Sequence, residues 1–225
     1  MKIIEPEIWI EPYDGIKIMK NIERACRTCY RSEDHITEDS YKKLLKNCIN
    51  RGHESVLEHE KITIRFLCSI NSYKDLTRHR AGASFSIESI RYCNYSKDKF
   101  DNNIKFMNPV YIENPDDYQC WKECMSAIEK YYMQMSNNGA IPDLCRTMLP
   151  HSVAAEVVMT CNMREWKHVL SLRCNNRVHP EIRQILIPVL LEFKKTMPEI
   201  FESVEYDEKF PKEWYAKLHI GYKED

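Results

Sequence analysis

The chain has 225 residues, with 33 Lys and Arg against 34 Asp and Glu, a formal net charge of -1 and only 5 glycines. Those glycines (Gly15, Gly52, Gly82, Gly139 and Gly221) stand too far apart for a G-x-G-x-x-G dinucleotide turn, a G-x-x-x-x-G-K-[S/T] phosphate loop or a G-x-S-x-G nucleophile elbow. The balanced charge argues against a nucleic-acid binder, and the 43% hydrophobic and 30% charged composition fits one globular domain over 1–225.

In chain order, residues 1–12 read as a short strand. Asp14 caps a helix to about Tyr30, with Met19, Ile22, Cys26 and Cys29 on one face. Thr37 caps a second helix to about Ile49, followed by a loop at Arg51–Ser55. Ile62, Ile64, Phe66 and Cys68 alternate, which predicts a half-buried strand over Lys61–Ile70. Asn71 caps a short helix running into Thr77-Arg78-His79-Arg80, and a polar stretch, Ser84–Ser96, comes next. Residues 102–112 read as extended. Asn114 and Pro115 open a long helix to about Met135, and Pro142 opens a short one to Leu149. Val153–Cys161 reads as a strand. Asn162 or Met163 starts a helix to about Arg173, and His179-Pro180-Glu181 starts another that ends before Pro198. The tail from Phe201 has no readable role. About six helices and three or four strands, without regular β-α-β spacing, point to an α+β fold with a small antiparallel sheet.

The start, Met1-Lys2-Ile3-Ile4-Glu5-Pro6-Glu7, lacks the apolar run of a secretory signal. No stretch approaches the ~20 apolar residues of a membrane span. Ten cysteines in such a chain read as reduced thiols, so a cytoplasmic location is expected. Cys48, Cys68 and Cys161 sit in apolar company and read as buried hydrophobes. Cys26 and Cys29 form a C-x-x-C without a second pair, so no metal site is expected, and a zinc domain built on them is a minor alternative. Cys93, beside Arg91-Tyr92, is the thiol nearest to an activating setting.

Three groups of polar residues are not explained by packing. The first is Gly52-His53-Glu54-Ser55…Glu58-His59. The second is Arg78-His79-Arg80 with Ser84, Ser86, Glu88, Ser89 and Arg91-Tyr92. The third is Arg146 with Asn162, Arg164, His168 and Arg173. Arginine forks with nearby hydroxyls suit phosphate or carboxylate, and can form an anion site without glycine. Arg164 and His168, four apart, share a helix face, and Arg173 points well round from it. Taken one by one, the Arg-His-Arg turn and the Arg164–Arg173 spacings read more readily as solvated surface than as a site. A non-catalytic nucleotide- or RNA-binding module using Arg78, Arg80 and Arg91 is the alternative to an enzyme, and the near-zero net charge disfavours it.

The order of these motifs, through Leu149-Pro150 and Leu172-Arg173, resembles the flavin-dependent thymidylate synthase family over roughly residues 15–195. The resemblance implies a homotetramer of α+β subunits with active sites at subunit interfaces. It implies FAD as cofactor, NADPH as reductant, methylenetetrahydrofolate as carbon donor and dUMP as acceptor, giving dTMP. It places Ser55, Arg78, His79, Arg80, Asn162, Arg164 and His168 at flavin positions, and His53 near the flavin at a position important for activity. It places Ser89, Arg91, Arg146 and Arg173 at dUMP positions, with Arg173 favouring ionisation of the uracil ring. Asp75 and Glu88 are the carboxylates nearest to two further substrate positions. Asp75 stands where the family often has Gln or Glu, while Ile87 occupies the other such position, next to Glu88. His168 replaces an Asn of some members. The family puts seven residues between the second arginine and the serine, whereas here Ala81–Glu88 intervene, one more. Ser89 has no evident general base, so no obligatory protein nucleophile is expected.

Overall fold

The computed structural model describes residues 1–93, 95 and 102–224, so the end of the polar stretch, at Ser96, lies outside the described residues. The elements in chain order are β1 (Lys2–Ile4), β2 (Glu7–Ile10), α1 (Gly15–Thr28), α2 (Ser40–Asn50), β3 (Lys61–Ser69), α3 (Ile70–Leu76), β4 (Ala83–Ile87), β5 (Lys105–Met107), α4 (Pro115–Asn137), α5 (Pro142–Cys145), β6 (Ala154–Asn162), α6 (Met163–Arg173), α7 (Pro180–Thr196), α8 (Pro198–Phe201) and β7 (Lys217–Ile220). The α+β class expected from the sequence is the one observed.

Strand β3 is the middle of a five-stranded sheet of order β4-β6-β3-β2-β7. Its alternation does what the sequence predicts: Ile62, Ile64, Phe66 and Cys68 are buried, while Thr63, Arg65 and Leu67 lie on the other, partly exposed face. β6 pairs with it antiparallel over nine residues, from Lys61 opposite Asn162 to Ser69 opposite Ala154. The outer face carries polar pairs, Thr63 Oγ1 to Thr160 Oγ1 at 2.8 Å and Arg65 Nη1 to Glu156 Oε2 at 2.9 Å. The sheet is not wholly antiparallel, as the sequence reading had it. The tail supplies β7, which runs parallel to β2, and β1 pairs parallel with β5 in a separate two-stranded sheet. Residues 1–12 divide at Glu5-Pro6, because a proline lacks the N–H a ladder needs, and the two halves join different sheets.

Helices α1, α2, α6 and α7 cover the buried face of the sheet. Ile18, Met19 and Ile22 of α1, Leu45 of α2, Trp166 and Leu170 of α6, and Ile185, Leu186 and Phe193 of α7 form one cluster with the inward strand residues. Helix starts follow capping chemistry. Asp14 accepts from the Lys17 N–H at 3.0 Å, and Asn114 from the Asp116 N–H at 2.9 Å with Pro115 in the first turn. Two starts differ from expectation. Ser69, not Asn71, caps α3, its Oγ accepting from the Ser72 N–H at 3.0 Å. α2 begins at Ser40, whose hydroxyl closes a turn with Thr37 instead of letting Thr37 cap the helix. The stretch from Pro142 is a short α5 followed by a 3-10 turn at Arg146–Met148.

A smaller cluster of Ile70, Ile104, Phe106, Met125, Tyr132, Cys145 and Val153 seats α4 against the end of the sheet. The carboxylate of Glu181, buried in the first turn of α7, joins the two regions. It accepts from Ser69 Oγ at 2.8 Å, Asn71 Nδ2 at 3.1 Å and Tyr111 Oη at 2.7 Å. Three donors and a helix N-terminus satisfy it without a cation. Glu181→Ala leaves those donors unmet, and is expected to lower unfolding stability by about 2–4 kcal/mol in denaturant titration.

Candidate active site

The arginine-rich turn is set by the end of α3. The Arg78 N–H donates to Asp75 O at 3.3 Å and the His79 N–H to Leu76 O at 3.1 Å, so the chain coils tightly out of the helix. Arg78 and Arg80 are exposed, while the His79 imidazole turns inward. Gly82 follows with φ +69°, and its carbonyl accepts from the Asn162 N–H at 3.1 Å. A Cβ on Gly82 would stand 2.3 Å from Asn162 Nδ2. The same Asn162 caps α6, its Oδ1 accepting from the Glu165 N–H at 2.9 Å. The turn is therefore docked on the start of α6.

The segment after α2 docks on α6 as well. Its 3-10 turn, Glu54–His59, places Glu58 against Arg164 Nη1 at 2.6 Å and Glu54 against Lys167. His53 and Ser55 are exposed beside these pairs. The three pieces enclose a cavity of about 620 Å³ lined by Glu54, Glu58, Gly82, Asn162, Arg164 and His168. A smaller cavity of about 290 Å³ adjoins it through Glu58, Gly82 and Asn162. Of the expected flavin-side residues, Asn162, Arg164 and His168 line this cavity; Ser55, Arg78 and Arg80 lie on the segments beside it, with His53 exposed next to Ser55, while the His79 imidazole turns to Arg173 instead.

His79 is 6% exposed and Glu165 is 7% exposed. Arg173, the last residue of α6, donates from Nε to His79 Nε2 at 3.0 Å, and its Nη1 lies 3.5 Å from Asp75 Oδ1. The other ring nitrogen, Nδ1, faces Glu165 Oε1 at 3.4 Å, and the His168 ring stands edge-on at 5.8 Å. Burial, with the neighbouring charges of Arg173 and His168, lowers the His79 pKa to about 4 against the slight opposing pull of Asp75. Burial also raises the Glu165 carboxyl, with His168 acting in the opposite direction.

The remaining expected residues form a second cluster at the far end of β4, about 13 Å along the strand. Asp143 Oδ1 lies 3.1 Å from Arg91 Nε and 2.9 Å from Arg146 Nε. Ser89 is half-buried, and its Oγ accepts from the Arg91 N–H at 3.4 Å. Glu88 is engaged locally: its N–H donates to Glu156 O and its carboxylate accepts from the Glu156 N–H at 3.2 Å. Burial raises the Glu88 pKa, with Cys93 and Tyr95 among the groups opposing that shift. Cys93 therefore sits beside a carboxylate, the reverse of an activating cation. Among the described residues, neither Arg91 nor Arg146 lines the 620 Å³ cavity beside α6.

Residues 16–199 match the family described as thymidylate synthase complementing protein. A flavin-dependent thymidylate synthase from Pyrococcus abyssi is 33% identical over 166 residues, 73% of this chain and 67% of the relative. Another from Geobacter sulfurreducens is 29% identical over 188 residues, 80% of this chain and 78% of the relative. The chain belongs to this family. A crystal structure of the UMP/dUMP methylase PolB from Streptomyces cacaoi, bound with 5-Br dUMP, matches with a TM-score of 0.71 at 22% identity, covering 90% of this chain and 96% of that one. At that identity the likeness speaks for the fold.

Sequence reasoning named Glu54 and Glu58 without their partners, Lys167 and Arg164, and missed Asp143 between Arg91 and Arg146 and Glu165 beside His79. Asp143 had a signal, three residues before Arg146 in a helical stretch. The contacts of Glu54 and Glu58 with α6 had none, since each spans over a hundred residues. Cys26 Sγ approaches Cys48 Sγ at 3.3 Å, both buried, while Cys29 is exposed, so the C-x-x-C does not close on itself. Among the described residues no three His, Cys, Asp or Glu side chains gather as a metal site.

Two outcomes follow from this geometry. Gly82→Ala places a methyl in a positive-φ turn against the Asn162 cap, and should cost about 2 kcal/mol in thermal or chemical unfolding. His79 is held neutral among Asp75, Glu165, His168 and Arg173. The unfolded chain takes up its proton near 6.5 and the folded chain only near 4. Stability should therefore fall between these values as pH drops, by up to about 3 kcal/mol more than in His79→Gln when both are titrated with denaturant.

Proposed function

We propose that this protein is an FAD-dependent thymidylate synthase that methylates dUMP to dTMP, with methylenetetrahydrofolate as carbon donor and NADPH as reductant. The observation that carries the reading is the docking of the Arg78–Gly82 turn on the start of α6, which opens a cavity beside Asn162, Arg164 and His168.

The residues fit a flavin. The cavity, about 620 Å³, is in the range of cofactor clefts. Gly82, whose Cβ would strike Asn162, forms part of its wall. Arg164 lines the cavity, and Arg78 and Arg80 are exposed on the turn docked beside it; such guanidinium groups suit a pyrophosphate. Ser55, Asn162 and His168 supply hydrogen bonds, and His53 stands at the edge. When bound, FAD supplies the redox chemistry.

The protein's own part is binding, orientation and charge. Arg91 and Arg146, held side by side through Asp143, bind the dUMP phosphate, and Ser89 hydrogen-bonds to the nucleotide. Arg173, fixed by His79 and Asp75, stabilises negative charge developed on the pyrimidine ring. The Ser89 hydroxyl meets a backbone N–H instead of a base, so its role is binding.

The separation of the clusters along β4 supports a site built from more than one chain, as in a homotetramer. One subunit then offers the flavin-side residues and another Ser89, Arg91 and Arg146. A cytoplasmic location suits this activity, and among the described residues no helix is long and apolar enough to cross a membrane.

The purified protein should be yellow, bleach with NADPH, and form dTMP from dUMP and methylenetetrahydrofolate. A colourless protein that binds no added FAD overturns the reading. Shared sites have their own test. Arg164→Ala and Arg91→Ala chains, each inactive alone, should regain roughly a quarter to a half of wild-type activity when refolded together, since mixed assemblies restore some intact sites. No recovery in mixtures shown to exchange subunits overturns the shared site.

A further inference from the structure

We propose that His79 and Glu165 are positioning residues that hold Arg173 in place for the pyrimidine ring. The inference rests on the role given to Arg173 above and extends it to two buried residues, of which Glu165 also lines the flavin-side cavity.

Arg173 ends α6, where a long side chain has many rotamers to lose. Its Nε donates to His79 Nε2 at 3.0 Å, and its Nη2 donates to Asp75 O at 3.3 Å. These contacts fix the plane of the guanidinium. The Nε partner is an imidazole nitrogen with no charge, so it sets direction without cancelling the positive field. The more distant Asp75 carboxylate, 3.5 Å from Nη1, is the one opposite charge in contact with it among the described residues.

Accepting at Nε2 requires the proton to be on Nδ1, and Glu165 Oε1 faces Nδ1 at 3.4 Å. Glu165 is itself placed by the cap: its backbone N–H donates to Asn162 Oδ1 at 2.9 Å. The His79 imidazole thus lies between the first turn and the last residue of α6, about 12 Å apart along the helix. Asn162, which borders the flavin-side cavity, is linked through Glu165 and His79 to the arginine assigned to the substrate ring. Flavin side and nucleotide side are then set by one rigid path through this subunit.

The test uses the FAD-loaded enzyme with His79→Ala, His79→Gln, Glu165→Ala, Arg173→Ala and the His79→Ala/Arg173→Ala double variant, with flavin content measured for each. His79→Ala should cut kcat about tenfold to hundredfold while flavin content and the KM for NADPH hold. His79→Gln, whose amide oxygen can accept from Nε, should recover to within about threefold of wild type, and Glu165→Ala should lose about threefold to tenfold. The double variant is read on dUMP affinity by calorimetry, where slow turnover does not matter. His79→Ala should weaken dUMP at least about fivefold in the wild-type background and less than about twofold in the Arg173→Ala background. An equal loss in both backgrounds, a full rate in His79→Ala, or a loss that tracks flavin content overturns the proposal. If the wild-type protein makes no dTMP, the proposed activity fails separately. The contact is then read from the Arg173 Nε–H in proton–nitrogen NMR: slow exchange in wild type and fast exchange in His79→Ala supports it, and equal exchange in both overturns it.

Discussion

Asn162 is the residue on which this site depends, because three separate constraints end there. It closes β6 opposite Lys61, it starts α6 by accepting from the Glu165 N–H, and it meets Gly82 closely enough to forbid a Cβ. A strand end, a helix start and a turn would otherwise move independently. The central β3–β6 ladder fixes Asn162 through its nine paired residues, and the cap passes that rigidity into α6. Groups attached to α6, namely Arg164, Lys167, His168 and Arg173, then keep their spacing relative to the sheet. A binding surface carried by a helix clamped at its first residue is more precise than one carried by loops.

The second constraint is charge. The chain has almost equal numbers of acids and bases, yet its expected ligands are anionic. The structure shows how both hold. Arg164, Lys167, Arg173 and the Arg91–Arg146 pair each have a carboxylate neighbour, respectively Glu58, Glu54, Asp75 and Asp143. Most of these pairs are partly exposed, where an ion pair contributes little stability. Their use is to order long side chains and to stop the arginines from repelling one another. Asp143 is the clearest case, a single carboxylate oxygen between two guanidinium groups. Scarcity of glycine accords with the proposed site, in which side-chain forks would take the place of the backbone N–H cradle of a glycine-rich loop.

What the sequence revealed depended on the range of the interaction. Strand β3, helices α1, α4, α6 and α7, and the caps Asp14, Asn114 and Asn162 were legible because period and capping are local properties. Strand β4 was read as a polar stretch because its outward residues are small serines and its inward residues, Ala83, Phe85 and Ile87, are only half-buried. Strand β7 was missed for a related reason: an edge strand in a charged tail needs its partner to be recognised. The motif residues could be named from the order in which they occur. Their division between two clusters could not, since it follows from the direction in which β4 leaves the turn. The acids that hold the arginines are ordinary surface residues by type, and only folding brings Glu58 to Arg164 or Glu165 to His79.

The same strand bears on the extra residue between Arg80 and Ser89. β4 pairs with β6 residue for residue, from Ala83 opposite Cys161 to Ile87 opposite Val157, and the Glu88 N–H extends the ladder to Glu156 O. The ladder has no bulge in which an added residue could hide. An insertion inside it would turn every later side chain to the other face of the sheet, Ser89 included. The part of this segment outside the ladder is the turn before Ala83, where Gly82 takes a conformation that other residues resist. The turn leaves Arg78-His79-Arg80 tied to the end of α3, and the ladder carries the chain to Glu88, next to Ser89. One of the five glycines in the chain is thus the residue that joins the arginine turn to the ladder, at a φ and a distance from Asn162 that a side chain would not tolerate.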